Sequence, residues 1–194
     1  MLTAVLLLSF AALAQGQAQC SYSDASITAR WQVVNGELTV EFTNKKVGNN
    51  QWTAIAWGPG MQDLDVVIFR VSNGKASVAT GVTKGYGPPI FDSKLNVAPQ
   101  QITYNNNELK AIITRPIGNL KDCTTWNFVP SSNMGANGNI QKHSSTPRQI
   151  RVCNPSQCTR VFDTRNPITN PVPTKAIFNN RESQRFNGLS QGPE

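Results

Sequence analysis

Histidine occurs once in the 194 residues, at position 143. A single imidazole excludes the two-His-one-carboxylate iron site, the His2Cys copper site and the multi-histidine zinc sites, all of which need more of it. Ser-His-Asp or Cys-His catalysis would have to run through the same residue. No Cys-x-x-Cys-His run is present, which excludes c-type covalent haem attachment, and no Asn-x-Ser/Thr acceptor is present for N-glycosylation. Charged residues make up 15% of the chain, and the net charge of +7 is scattered rather than gathered into a stripe, which argues against a nucleic-acid partner. An acidic polysaccharide, an anionic redox protein or the acidic groups of a cofactor suit that charge better. Beyond the N-terminus no apolar run is long enough to cross a bilayer, so direct membrane insertion is not expected.

The N-terminus itself is apolar from Leu2 to Ala14, short of the ~20 residues that span a membrane. Small residues follow at Ala12 and Ala14, or at Gly16 and Ala18, so residues 1–18 read as a cleaved signal peptide, although no Lys or Arg precedes the run. A secreted, extracellular protein is the consequence. Cys20, Cys123, Cys153 and Cys158 form an even set suited to disulfides in that compartment. Three pairings are open to them. The short loop Cys153-Asn154-Pro155-Ser156-Gln157-Cys158 favours Cys153 with Cys158, which leaves Cys20 for Cys123.

From Cys20 onward the chain reads as strands and turns. Ile27, Ala29, Trp31 and Val33 alternate with polar residues, Asn35-Gly36 makes a tight turn, and Leu38, Val40 and Phe42 alternate on the return. Thr53 to Trp57 is a short apolar strand. Val66 to Val71 and Ala76 to Val82 flank Ser72-Asn73-Gly74-Lys75, and Ile102 to Tyr104 and Leu109 to Thr114 flank Asn105-Asn106-Asn107. Thr124 to Val129 and Gln149 to Cys153 complete the series. Short strands at this spacing predict an all-β antiparallel sandwich. Trp31, Trp57 and Trp126 are expected as core anchors. Ser131 to Pro147, rich in Ser, Asn and Gly, is expected to be a long mobile loop, and His143 lies within it. The domain is expected over residues 19–162, and residues 163–194, rich in Pro and Asn with few large apolar groups, as a tail without a core.

Trp57-Gly58-Pro59-Gly60-Met61, then Asp63-Leu64-Asp65-Val66-Val67-Ile68, then Trp126-Asn127-Phe128 and a Gly/Asn-rich stretch reaching His143 resemble a DOMON domain over about Tyr22 to Val152. The resemblance implies an immunoglobulin-like β-sandwich that binds haem or sugar, as in the cytochrome domain of cellobiose dehydrogenase. It places Met61 and His143 as axial ligands of a b-type haem and implies electron transfer rather than catalysis. Lys142 and Arg148 are candidate partners for haem propionates, and solvated loop charges otherwise. Asp63 and Asp65 read as turn formers rather than a calcium site or catalytic pair. The alternative function is a haemless sugar- or matrix-binding module presenting Tyr86 or Tyr104, and a structural extracellular protein is a third reading.

Overall fold

A computed structural model describes residues 18–159 of the chain. The signal peptide expected over 1–18, but for its last residue, and the tail expected over 163–194 lie outside the described residues. Among the described residues eleven strands are present: β1 (Ser21–Ser23), β2 (Ile27–Val34), β3 (Glu37–Asn44), β4 (Gln51–Trp57), β5 (Gln62–Ser72), β6 (Lys75–Lys84), β7 (Ile90–Phe91), β8 (Ala98–Asn105), β9 (Glu108–Pro116), β10 (Thr124–Asn133) and β11 (Arg148–Val152). They form two antiparallel sheets, one of five strands in the order β1-β2-β3-β9-β8 and one of six in the order β11-β10-β4-β5-β6-β7. No α-helix occurs among the described residues. The expected all-β sandwich is the fold.

Three hairpins set the register. In each, two residues with positive φ join the strands: Asn35 (52°) and Gly36 (78°), Asn73 (51°) and Gly74 (70°), Asn106 (49°) and Asn107 (61°). Positive φ at both central positions gives a turn whose twist matches that of paired strands, which Asn and Gly adopt at least cost. The ladders follow directly, with Val34 opposite Glu37, Ser72 opposite Lys75 and Asn105 opposite Glu108.

Between the sheets lies an aromatic core. Trp31 packs on Trp126 at 4.6 Å, Trp57 meets Trp126 edge-on at 5.7 Å, and Phe42 stacks on Phe69 at 5.4 Å. All three tryptophans expected in the core are buried there. Polar groups cross the interface as well. Asn44 Nδ2 of β3 donates to Thr53 Oγ1 of β4 at 3.0 Å, and the Thr53 hydroxyl donates to the Val129 carbonyl at 2.6 Å. Arg115 of β9 pairs with Asp65 of β5 at 2.6 Å, its guanidinium 5.0 Å from the centre of the Trp57 ring.

The cysteines are all oxidised, but the expected pairing is wrong: Cys20 joins Cys158, and Cys123 joins Cys153. Strand neighbours decide it. The carbonyls of Cys20 and Cys158 accept hydrogen bonds from Trp31 and Val33, two positions on β2, so the two ends of the described chain meet along one strand. Cys123 and Cys153 flank Thr124 and Val152, which are opposite each other in the β10–β11 ladder. Ser131–Pro147 also differs from expectation. Its first residues extend β10, and Met134 bridges back to Ile140.

Asp24 ties the first sheet to the last strand. Its carboxylate accepts from the Ile27 and Ser26 backbone N–H groups at 2.7 and 2.8 Å and from the Tyr22 hydroxyl at 2.9 Å, and it pairs with Arg148 Nε at 3.3 Å. Burial alone would raise its pKa, but these donors outweigh it and hold the carboxyl at about 2, against 3.8 without them. Burial, followed by the bond to Asp24, pushes the Tyr22 hydroxyl up to about 12.

The disulfides and Asp24 each generate a prediction. The Cys20–Cys158 bridge spans 138 positions and Cys123–Cys153 spans 30, so replacing each pair with serine should cost about 5 and about 4 kcal/mol respectively. Non-reducing peptide mapping with denaturant melts of the two double variants measures both. Because the folded pKa of Asp24 lies below its unfolded value, its contribution is complete above pH 3.8 and is lost as pH falls toward 2. Asp24→Asn should therefore flatten the acid limb of a stability-against-pH curve over that window and lower stability at neutral pH.

Candidate functional site

The middle of the six-stranded sheet, along β10, β4 and β5, is buried on both faces. Along β4, Ile55 and Trp57 turn into the sandwich core, while Trp52, Ala54 and Ala56 turn outward into a second apolar cluster with Leu64, Val66 and Ile68 of β5 and Val129 of β10. Met61, Met134 and Ile140 pack over this outer cluster. A sheet face so apolar needs cover, and the two segments that supply it carry the residues singled out in the sequence.

The first is the turn after β4. Gly58 adopts a φ of 137°, and a Cβ there would come within 2.7 Å of the Leu64 side chain, so only glycine lets the chain reverse this close to β5. Asn127 Nδ2 donates to the carbonyls of Ala56 and Gly58 at 3.3 and 2.9 Å, and Gln149 Nε2 holds the Asn127 carbonyl oxygen at 2.7 Å. On the other side Gly85 N donates to the Met61 carbonyl at 3.0 Å. The thioether of Met61 is thus carried on a turn fixed at both flanks and partly buried against the outer cluster.

The second segment carries His143. Ser144 N donates to Oγ of the buried Ser132 at 3.0 Å, and Ser132 lies opposite Trp52 in the β10–β4 ladder. Met134 N donates to the Asn50 carbonyl at 2.9 Å. His143 Nδ1 lies 2.8 Å from the Ser145 carbonyl, which can only accept, so Nδ1 is the nitrogen that bears a proton there and Nε2 is the one left to bind a metal. By register the His143 segment is anchored at the Trp52 end of β4 and the Met61 turn at the Trp57 end, about 16 Å apart along the strand. Ala54 and Ala56 lie between them.

The remaining candidates are placed as follows. Asp63, expected as a turn former, lies within β5 at a register shift in the β5–β6 ladder, with a φ of 55°, and pairs with Lys84. Asp65 serves the inter-sheet pair with Arg115. Arg148 is taken by Asp24 and Lys142 is exposed on its loop. Tyr86 is 95% exposed, whereas Tyr104 is partly buried with its hydroxyl on Asn107 at 3.1 Å. Among the described residues no three His, Cys, Asp or Glu side chains gather as a metal cage. Trp52, Arg70, Met134 and Ile140 were not foreseen at this face. The stretch Trp52 to Trp57, apolar but for Thr53 and without the alternation of a half-buried strand, was the signal available for Trp52.

The fold has counterparts in known proteins. The DOMON domain family model matches residues 23–132, more than half of the chain, a span that includes Met61 and stops short of His143. The chain belongs to the DOMON domain family. It is 30% identical over 169 residues to the DOMON domain-containing protein CBG21753 of Caenorhabditis briggsae, covering 81% of this chain and 97% of the relative. It is 29% identical to the DOMON domain-containing protein Y73F4A.2 of Caenorhabditis elegans, over 72% of this chain and 88% of that one. Its fold is similar to the cytochrome domain of Myriococcum thermophilum cellobiose dehydrogenase, with a TM-score of 0.58 at 10% identity over 72% of this chain and 83% of the other. The cytochrome b domain of pyranose dehydrogenase from Coprinopsis cinerea gives a TM-score of 0.51 at 12% identity, over 69% and 79%.

The anchoring of the His143 segment is directly testable. Ser132→Ala should leave the strands intact, speed amide hydrogen exchange at Ser144, and cost about 1 kcal/mol of stability. Unchanged exchange at that amide would show that the segment is held elsewhere.

Proposed function

We propose that this chain is a secreted, b-type haem-binding member of its family that carries electrons, with Met61 and His143 as the axial ligands. The observation that carries the reading is the second apolar face of the six-stranded sheet, covered by two segments of which one bears a thioether and the other the chain's sole imidazole. The donor set fits the group. His143 offers Nε2, its Nδ1 being held by the Ser145 carbonyl, Met61 offers a partly buried sulfur, and alanines rather than bulky side chains occupy the middle of the face. Haem held there supplies one-electron exchange between ferric and ferrous iron.

The protein's own groups set the terms of that exchange. The Met61 thioether is soft and favours the ferrous state, which raises the potential relative to two imidazoles. The Ser145 carbonyl orients the His143 ring and makes Nε2 a better donor. Trp52, Val66, Ile68 and Val129 keep water out and disfavour extra charge. With both Met61 and His143 holding the group, the protein would leave no open position for oxygen or peroxide, which favours an electron carrier over an enzyme. Two disulfides and the N-terminal apolar run favour secretion, with 19–162 as the domain and 163–194 as its tail. A net charge of +7 suits a weak, transient encounter with an anionic redox protein, or residence on an acidic polysaccharide.

Absorbance spectra of the secreted protein, oxidised and then reduced, test the proposal. A low-spin six-coordinate spectrum is expected. Met61→Leu should retain haem, lower its potential and open one axial position, whereas His143→Ala should weaken haem binding on the order of 100-fold. Absence of a Soret band after haem addition, or a spectrum indifferent to both substitutions, would overturn it.

A further inference from the structure

The outer face ends in two nitrogen donors for which the chain supplies no acceptor among the described residues. Trp52 and Arg70 are directly opposite each other in the β4–β5 ladder, and Arg70 continues the outward series Leu64, Val66, Ile68. Trp52 is 5% exposed, and its Nε1 has no hydrogen-bond partner; the buried Nε of Arg70 has none either. Buried donors without partners cost free energy that a native fold rarely leaves uncompensated. The indoles of Trp31, Trp57 and Trp126 also lack acceptors, but those rings close on one another inside the sandwich core. Trp52 alone of the four faces outward.

Arg70 is a cation held without a counter-charge. Its guanidinium lies 4.4 Å from the centre of the Phe91 ring, which positions it, and no ion pair to it is present among the described residues. The carboxylate beside Phe91, that of Asp92, is committed to the Thr80 hydroxyl at 2.6 Å and to Asn96 Nδ2 at 3.2 Å. Burial holds the guanidinium below its ordinary pKa, a cost that an anion would offset. Arg148, considered from sequence for this role, is engaged by Asp24 on the opposite side of the sheet.

We infer that Trp52 and Arg70 form a carboxylate-receiving pair that takes a propionate of a porphyrin seated on the outer face. The inference rests on the haem reading above, and supplies it with the anion contact that the apolar cluster lacks. A planar guanidinium and an adjacent indole N–H offer donors to both oxygens of one carboxylate.

Iron-free protoporphyrin IX and its dimethyl ester separate this contact from iron ligation. The full-length secreted protein, titrated with each and followed by porphyrin fluorescence, should prefer the diacid about tenfold. Arg70→Met should abolish the preference while leaving ester affinity unchanged, and Trp52→Phe, which keeps an apolar ring and loses the N–H, should reduce it in part. Near-UV circular dichroism checks that both variants fold. Equal binding of diacid and ester by the wild type, or a preference that survives both substitutions, would overturn the pair. So would glucuronate competing as well as the porphyrin diacid, since the receiver would then serve a free carboxylate. If the porphyrin preference depends on Arg70 but haem gives no six-coordinate spectrum, the axial ligation fails and the pair stands. A six-coordinate haem without that preference, or with no binding of either iron-free porphyrin, leaves the ligation standing and overturns the pair, and the loss of both the preference and the six-coordinate spectrum overturns both.

Discussion

Everything in this molecule depends on the burial of β4 from both sides. An antiparallel sheet in a sandwich ordinarily packs one face and wets the other. Here the six-stranded sheet packs Ile55, Trp57, Val67 and Phe69 inward and Trp52, Ala54, Ala56, Leu64, Val66 and Ile68 outward. Each large side chain buried this way contributes about 1.5–3 kcal/mol. Left open, the outer face would be an apolar patch of the kind that attracts partners or aggregates. The turn bearing Met61 and the segment bearing Met134, Ile140 and His143 are therefore held in place by what they cover, more than by structure of their own.

The polar contacts make the sheet beneath them a fixed platform. Asn44 and Thr53 pin the two sheets at one end of β4, and Arg115 with Asp65 pins them at the other, where the cation also lies over Trp57. Asp24 and Arg148 fasten the edge strand β11 to the first sheet, and the Cys20–Cys158 bridge closes the described chain along β2. Asn127 is the link between platform and site. It lies in the middle of β10, yet its side chain secures the carbonyls at the start of the Met61 turn. Side-chain donors placed by rigid strands hold a turn more accurately than the turn could hold itself.

The strand pattern was legible in the sequence because its signals are local. Asn-Gly and Asn-Asn pairs specify hairpins within a few residues, and alternation along β2 and β3 states which side chains face inward. The tryptophans declared the core by size. Legibility ended where the answer depends on which strands meet. Cys20 pairs with Cys158 because both lie along β2, a fact of topology that no spacing between cysteines expresses. Ser131–Pro147 has the composition of a free loop, but Ser132, Met134 and Ile140 find partners on a face whose existence is visible only once β4 and β5 are side by side. Met61 and His143 were identified by resemblance to a family, and the anchoring of their segments at two ends of β4 came from register. Arg70, a single cation in Val66-Val67-Ile68-Phe69-Arg70-Val71, gave no signal because a lone charge in a strand usually faces solvent.

The central claim is that the outer face of the six-stranded sheet is the haem-binding face. The indole N–H resonances of the four tryptophans report on it directly, since Trp52 belongs to that face and Trp31, Trp57 and Trp126 to the sandwich core. On adding ferric haem to nitrogen-15-labelled protein, the account predicts a large paramagnetic shift or broadening of the Trp52 indole signal, with the amides of Ala54, Ala56, Val66 and Ile68 following it and the three core indoles moving far less. Perturbation centred on the exposed segment around Tyr86 and Phe91, or on the core indoles, with Trp52 unmoved, would contradict it.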